Sequence, residues 1–289
     1  MAIDTYALTS LADVKSYLGI TTSDQDTLLI NCINRASDWI ESYCDRKFKS
    51  RTFYEWHDGR GGKQLRLRNW PVNYVQSVSY GVQNAFTVSG NVSSDIRTTM
   101  SVDTESVRLV RIQSDGTTTN HVFDITPGGS YDTTSELSSA INGTTGFTSS
   151  LTSNVPSYLL HQLQGREITT TSFTATFPPD AENEYRIDTD KGIVYLRSSS
   201  HFDVSYEENP ARYPRSRQSI LVVYNAGYAS VPDDIQQAAL EFVQKIYSMR
   251  SHDPNVSSEG LGDYNYSLRS SAEVLETIGS SLQPHRGVR

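Results

Sequence analysis

The sequence predicts an α+β fold: a helical core with β-hairpins and a central strand, interrupted by a β-rich inserted domain. Three observations carry this. Amphipathic helical stripes stand near both ends of the chain, over residues 24–44 and 232–247. Short strand-like runs punctuated by glycine and proline fill most of the interval. Composition shifts in the middle, for there is no lysine between Lys63 and Lys191, and residues 81–184 hold 34 Ser and Thr in 104 positions with four Arg. The expected division is therefore a discontinuous helical domain, 1–80 plus 185–289, and an inserted Ser/Thr-rich β domain, 81–184. A chain of 289 residues fits about two domains and can build its cores without disulfides.

The elements follow in order. Ser10 can cap a short helix carrying Leu11, Val14, Tyr17 and Leu18, which Gly19 ends in the left-handed conformation. Ser23 is the expected cap of a helix of about twenty residues, with Asp24 and Asp26 at its positive end. Its stripe is Leu28, Leu29, Cys32, Ile33, Ala36, Ile40 and Tyr43, and Asn31, Asn34, Arg35, Asp38 and Glu41 face elsewhere. Next, 52–57 and 64–68 alternate around Asp58-Gly59-Arg60-Gly61-Gly62 and read as a hairpin. Pro71 ends that run, and Val72–Tyr80 reads as a strand.

On the far side of the insert, 185–188 and 192–196 flank the tight turn Thr189-Asp190-Lys191. Residues 219–224 are apolar on both faces, as a central strand requires, and Asn225-Ala226-Gly227 breaks them. Pro232 opens a helix with Asp233 and Asp234 in its first turn and a stripe of Ile235, Ala238, Ala239, Phe242, Val243, Ile246 and Tyr247. This stripe and that of 24–44 are expected to bury each other. Ser251–Arg289 reads as loop apart from a weak helix over 271–278, and from Gln283 onward there is no pattern.

Inside the insert the β-like runs are 86–88, 106–112, 121–125 and 170–177. Thr133 with Glu136 forms a capping box ahead of Leu137, Ala140 and Ile141, and Asn142-Gly143 ends that helix.

Charge and chemistry narrow the function. Twenty-five Lys and Arg against 33 Asp and Glu give −8, which disfavours broad DNA wrapping. No apolar run is long enough to span a bilayer and the start MAIDTYALTS lacks a signal pattern, so a soluble, unexported protein without a membrane partner is expected. Cys32 and Cys44 lie too far apart on one helix to bond and are expected to be buried free thiols. The six histidines offer no ligand-pair spacing. Asp188–Gly192 departs from a calcium loop in its glycine position and has Ser199 where Glu is needed. Gly59–Gly62 leads into a strand rather than a helix, so it reads as a turn and not as an anion cradle. Arg212, Arg215 and Arg217, interleaved with Tyr213 and Pro214, could meet phosphates or an acidic partner or form a solvated cationic loop, and the loop is favoured. No nucleophile elbow is present, and the expectation is no enzyme, no cofactor and no metal. Phe123, Tyr131 and Phe147 could stack on a sugar or fill a small β-core, and the core is favoured.

Four stretches, in order, resemble the head–tail connector (adaptor) proteins of tailed bacteriophages. They are Leu8–Ile20 with Asp24–Arg46; Trp70–Val78, with its Pro-Val and Val-x-Ser-Val; Asn225-Ala226-Gly227-Tyr228 with Val231–Ile235; and Ser258–Ser267, with its Ser-Glu, Gly-Asp-Tyr and Tyr-Ser. The insert lies outside the resemblance. The resemblance implies a non-enzymatic virion protein at the head–tail interface, assembled in the bacterial host cytoplasm. Its partners would be itself, as a ring, commonly twelvefold; the portal protein; and a downstream neck or tail completion protein. Viral DNA would pass through the channel without specific binding. The C-terminal segment would reach the portal, with Asp263, Tyr264, Tyr266, Arg286 and Arg289 as candidate contacts. The alternatives are a neck or tail accessory protein whose insert binds carbohydrate or another virion component, and a tail-tip hydrolase.

Overall fold

The computed structural model describes residues 2–179, 185–196, 213, 215–250, 258–261, 264–267 and 278–287. The fold is α+β, with antiparallel strands in small sheets. Helix α1 (Leu11–Leu18) begins where Ser10 accepts a bond from the Asp13 N–H and ends at Gly19, φ 69°. Helix α2 (Asp26–Cys44) starts later than the sequence suggests, because Gln25 rather than Ser23 is its N-cap, and only the Ser23 carbonyl takes part, accepting from Asp26 N. Asp45, φ 51°, closes it by donating to the Glu41 and Ser42 carbonyls.

Strands β1 (Arg51–Arg60), β2 (Gln64–Arg66) and β3 (Val72–Tyr80) follow. The insert supplies β4 (Gln83–Gly90), β5 (Arg97–Val102), β6 (Ser106–Ile112), β7 (Thr118–Asp124), α3 (Thr134–Asn142), β8 (Phe147–Leu151), β9 (Leu163–Glu167) and β10 (Phe173–Phe177). The chain continues through β11 (Tyr185–Asp188), β12 (Ile193–Leu196), β13 (Arg215–Ala226), α4 (Asp233–Met249), β14 (Ser258–Leu261) and β15 (Tyr264–Ser267).

Strand β13 is central in the sheet β1-β13-β3, as its two apolar faces require. The β11–β12 hairpin forms at the expected turn, Tyr185 opposite Leu196. The expected hairpin of 52–57 with 64–68 does not form. Strand β1 pairs with β13, 160 residues on, and β2 joins β12 in the sheet β11-β12-β2. The loop glycines do not hold the two strands together, because β13 offers β1 a ladder of nine paired positions against the three residues of β2.

Four apolar clusters result. The first joins α1, α2 and α4 through Leu29, Ile33, Ala36, Ile40, Ala239 and Val243, so the two long stripes bury each other. Leu28 and Tyr17, placed on stripes by their spacing, remain exposed at 39% and 41%. Glu41, placed on the polar face, is buried. The second cluster draws every member from 85–177 and packs α3, held by the Thr133–Glu136 capping box, against the sheets β10-β4-β8 and β7-β6-β5-β9. Strands β5, β8 and β9 of this unit lacked a readable pattern: their Ser, Thr and Gly dilute the alternation. The third lies under β13, β3, β12 and β2. The fourth is small: Trp56, Leu221 and Val223 meet Tyr158 and Leu159 of the insert.

The C-terminal reading needs correction. Residues 258–261 and 264–267 form a hairpin rather than loop. Residues 278–282 are helical, with Ile278 and Leu282 at 2% and 1% exposure inside the first cluster, and a 3-10 turn covers Gln283–His285. Two apolar side chains spaced by four suffice once a groove between α2 and α4 receives them, although such a pair is too short to register as a stripe. The weak helix expected over 271–278 lies outside the described residues except for Ile278.

Candidate partner-docking interface

The structure gathers separated stretches at the C-terminal end of α2. Asp45 turns the chain so that Arg46 projects inward, 4% exposed. Its guanidinium lies 4.1 Å from the Trp70 ring centroid, 4.9 Å from Phe48 and 5.7 Å from Tyr228, and it donates to the Trp70 carbonyl. Burial lowers its pKa, and Tyr228 opposes that shift. Three aromatic faces stand in for a carboxylate, because Arg is weakly hydrated and stacks on π-systems.

Asn73 and Asn225, 152 residues apart, meet at 2.7 Å, and Ser50 Oγ donates to the same Asn225 oxygen at 2.8 Å. Gly227, φ 105°, lets the chain pass the backbone of Phe48 and Lys49, where a Cβ would sit 2.7 Å from the Phe48 carbonyl oxygen. Only glycine satisfies both conditions, which explains the Asn-Ala-Gly break after β13.

Glu41 is the charged centre of this junction. Its side chain, 5% exposed, accepts from Lys47 Nζ at 2.7 Å, Arg51 Nη2 at 2.8 Å and Phe48 N at 3.3 Å. The C-terminal segment covers the same end of the helix. The Arg286 guanidinium lies 5.3 Å from the Tyr43 ring centroid, His285 Nε2 meets Asp234 at 2.5 Å, and Gly287 N donates to the Cys44 carbonyl. Burial pushes the Cys44 thiol up to about 11 and that of Cys32 upward, so neither is a thiolate at neutral pH.

A polar cluster underlies the central sheet. Glu55 accepts from Asn69 Nδ2 at 2.9 Å and from Arg68 N at 3.3 Å, and His57 Nε2 lies 3.2 Å away. Tyr224 Oη accepts from Asn69 N at 3.2 Å. Burial alone would raise the Glu55 pKa, but the bonds from His57, Tyr224 and Arg68 hold it below the ordinary 4.5. A carboxyl depressed on folding stabilises the native state above its unfolded pKa and loses that contribution as pH falls through the folded value. The melting-temperature gap between wild type and Glu55→Gln is therefore expected at pH 7 and should close below about pH 4. A gap that stays constant to pH 3 would show that the charge on Glu55 contributes nothing.

Of the candidate contact residues, Arg286 lies in this junction. Tyr264 and Tyr266 belong to β15, opposite Leu261 and Glu259, while Asp263 and Arg289 lie outside the described residues. Phe123 and Phe147 are buried in the insert's core and Tyr131 packs against it, so these three do not form a sugar-stacking platform. Among the described residues no group of His, Cys, Asp or Glu is arranged to hold a metal, and no helix is long and apolar enough to cross a membrane.

Residues 8–103 match the family model of the phage gp6-like head-tail connector protein. The resemblance is to phage head–tail connectors. The matched segment runs from α1 through β5, so it takes in Arg46 with Phe48 and Trp70 but not Tyr228, as well as Glu41 and Asn73, and it reaches 103, past the expected start of the insert at 81. The first two stretches of the resemblance lie within it, and those at 225–235 and 258–267 lie beyond it. No curated protein matches the chain. Among solved structures, a chain from the neck of a native GTA particle computed with C12 symmetry aligns at TM-score 0.43 and 14% identity, covering 100% of this chain and 93% of that one. A chain from the virion of a native gene transfer agent (GTA) particle aligns at 0.44 and 15%, covering 100% and 94%.

Proposed function

We propose that the protein is a structural virion component, a head–tail connector that forms a ring below the portal, joins the DNA-filled capsid to the neck or tail, and leaves a channel for DNA. The observation that carries this is the connector match over 8–103, which takes in α1, α2 and strands β1 to β5. Among the described residues no reactive constellation competes with a structural role: both thiols are buried, and the Glu55 carboxylate that His57 meets is already held by Asn69 and Arg68 under the sheet. Twelvefold symmetry, matching the portal, belongs to this reading, as does an acidic surface from which DNA phosphates are repelled.

The C-terminal segment is the proposed portal contact, through Asp263, Tyr264, Tyr266, Arg286 and Arg289. Individual exposed ion pairs contribute only about 0–1 kcal/mol, so attachment would depend on many identical arms engaging at once. Removing 283–289 is expected to weaken cosedimentation with DNA-filled, tailless heads while the subunit keeps its circular dichroism. Undiminished attachment would move the portal contact to the helical core.

Residues 81–184 are proposed to fold as a unit of their own, since their apolar cluster has no member from the flanks. Replacing them with a short glycine linker should leave the helical unit folded but bare the face of Trp56, Leu221 and Val223 that meets Tyr158 and Leu159. The expected readout is native-like helical circular dichroism with a red-shifted tryptophan emission. Loss of the helical signal would mean that the two parts share one core.

A further inference from the structure

The hairpin that does not form leaves a cleft of about 910 Å³ between its two intended strands. Trp56, His57 and Asp58 are consecutive on β1 and all line it. Side chains alternate between the faces of a strand, so a cleft lined by three residues in succession takes in the strand's edge as well as one face. The whole of β2, Gln64, Leu65 and Arg66, lines it in the same way. Both are edge strands: β1 has only β13 beside it and β2 only β12 among the described residues. Among those residues, no backbone bond from 52–60 runs to any element other than β13. Two edges that are unpaired among the described residues and face one space, with Tyr213 N donating to the Gly62 carbonyl at 2.9 Å beside them, are a template for a further strand.

Charge selects what that strand carries. Arg60, Arg66 and Arg68 line the cleft, are exposed, and enter none of the ion pairs among the described residues. Of the two carboxylates in the lining, Asp58 already accepts from Gln218 N at 2.8 Å, and Asp45 has a partner of its own. Tyr213 also lines the cleft, and its hydroxyl is buried without a hydrogen-bond partner, although the residue is only 2% exposed. Leu65 and Ile220 give the floor its apolar part, while Trp56 turns to the opposite face of the sheet, and an apolar floor suits alternating side chains and not a phosphodiester backbone.

We propose that this cleft receives an extended, acidic polypeptide segment of a partner protein. The segment adds as a strand against the outer edges of β1 and β2, turns its apolar side chains to the floor, and pairs its carboxylates with Arg60, Arg66 and Arg68. This stands apart from the ring and portal reading and fails or succeeds without it, because its test uses the isolated full-length chain.

Three capped octapeptides serve as probes: alternating Val-Glu, alternating Val-Lys, and Val-Glu with alternate amides N-methylated. Binding is followed by calorimetry. The Val-Glu peptide is expected to bind at least about tenfold tighter than Val-Lys, since like charges across an interface are strongly unfavourable. N-methylation should weaken it by a similar factor by removing ladder donors. The exposed arginines can be reversed together without touching the core, and Arg60→Glu/Arg66→Glu/Arg68→Glu should invert the preference. No binding of Val-Glu to the wild-type chain, equal affinity for the two peptides, or indifference to N-methylation would overturn the proposal. So would an oligothymidylate that competes for the site with higher affinity than the acidic peptide.

Discussion

Phe242→Ala is expected to destabilise the protein by about 3–5 kcal/mol, read as a large fall in the denaturant midpoint. Phe242 is 7% exposed on α4, and its ring centroid lies 4.8 Å from that of Trp39 on α2. The substitution removes the transfer free energy of an aromatic ring and leaves a cavity between two helices that backbone bonding keeps from collapsing. Gln244, two residues on, points to solvent, so Gln244→Ala should move the midpoint by less than about 0.5 kcal/mol. Equal effects would mean that the buried face of α4 is misassigned or that Gln244 lies against another subunit.

Glu41→Ala is expected to cost about 3–5 kcal/mol, for a different reason. The carboxylate is the common acceptor for Arg51, Lys47 and the Phe48 amide, and the Arg51 side chain is itself only 15% exposed. Removing the acceptor leaves a largely desolvated guanidinium facing a void, although its stack on Tyr6, 3.7 Å to the ring centroid, remains. Lys47→Ala is the control: at 45% exposure its ammonium returns to water, and the loss should stay below about 1 kcal/mol. If both variants melt with wild type, Glu41 is not what holds the turn after α2 in place.

The difference between these two sites is also the difference between what could and could not be read in advance. Phe242 is legible because helical periodicity is local: seven apolar residues at spacings of three and four put it on a buried face whatever the partner. Glu41 obeys the same periodicity and was assigned outward, because nothing in α2 announces that the chain after Asp45 returns over it with Lys47 and Arg51. The Arg46 cage is similar. Trp70 and Tyr228 approach it from 24 and 182 residues away, and a sequence shows aromatic residues without showing which cation they enclose.

The C-terminal segment and the β1–β2 pair mark the other boundary. Ile278 and Leu282 are two apolar residues in a polar stretch, and they become core only because α2 and α4 leave a groove for them. In the same way, a glycine-rich turn between two alternating runs is a sound local signal for a hairpin, yet β13 took β1 as its partner and β2 went to another sheet. Strand pairing is a competition among all edges in the molecule, decided by ladder length and by which faces must be buried, and neither quantity belongs to the turn.

By itself, then, the sequence determined the α+β class, α1 and α3 with their caps, the runs of α2 and α4, the central position of β13, the β11–β12 hairpin and the connector resemblance of the N-terminal third. Each of these rests on residues within one or two turns of each other, or on a motif read along the chain. The tertiary structure alone decided the partners of β1 and β2, the burial of Glu41 and Arg46, the docking of 278–287 and the cleft between β1 and β2. The physical reason is that these depend on contacts between residues distant in sequence, where the free energy of burial and pairing is settled by what the rest of the fold brings alongside.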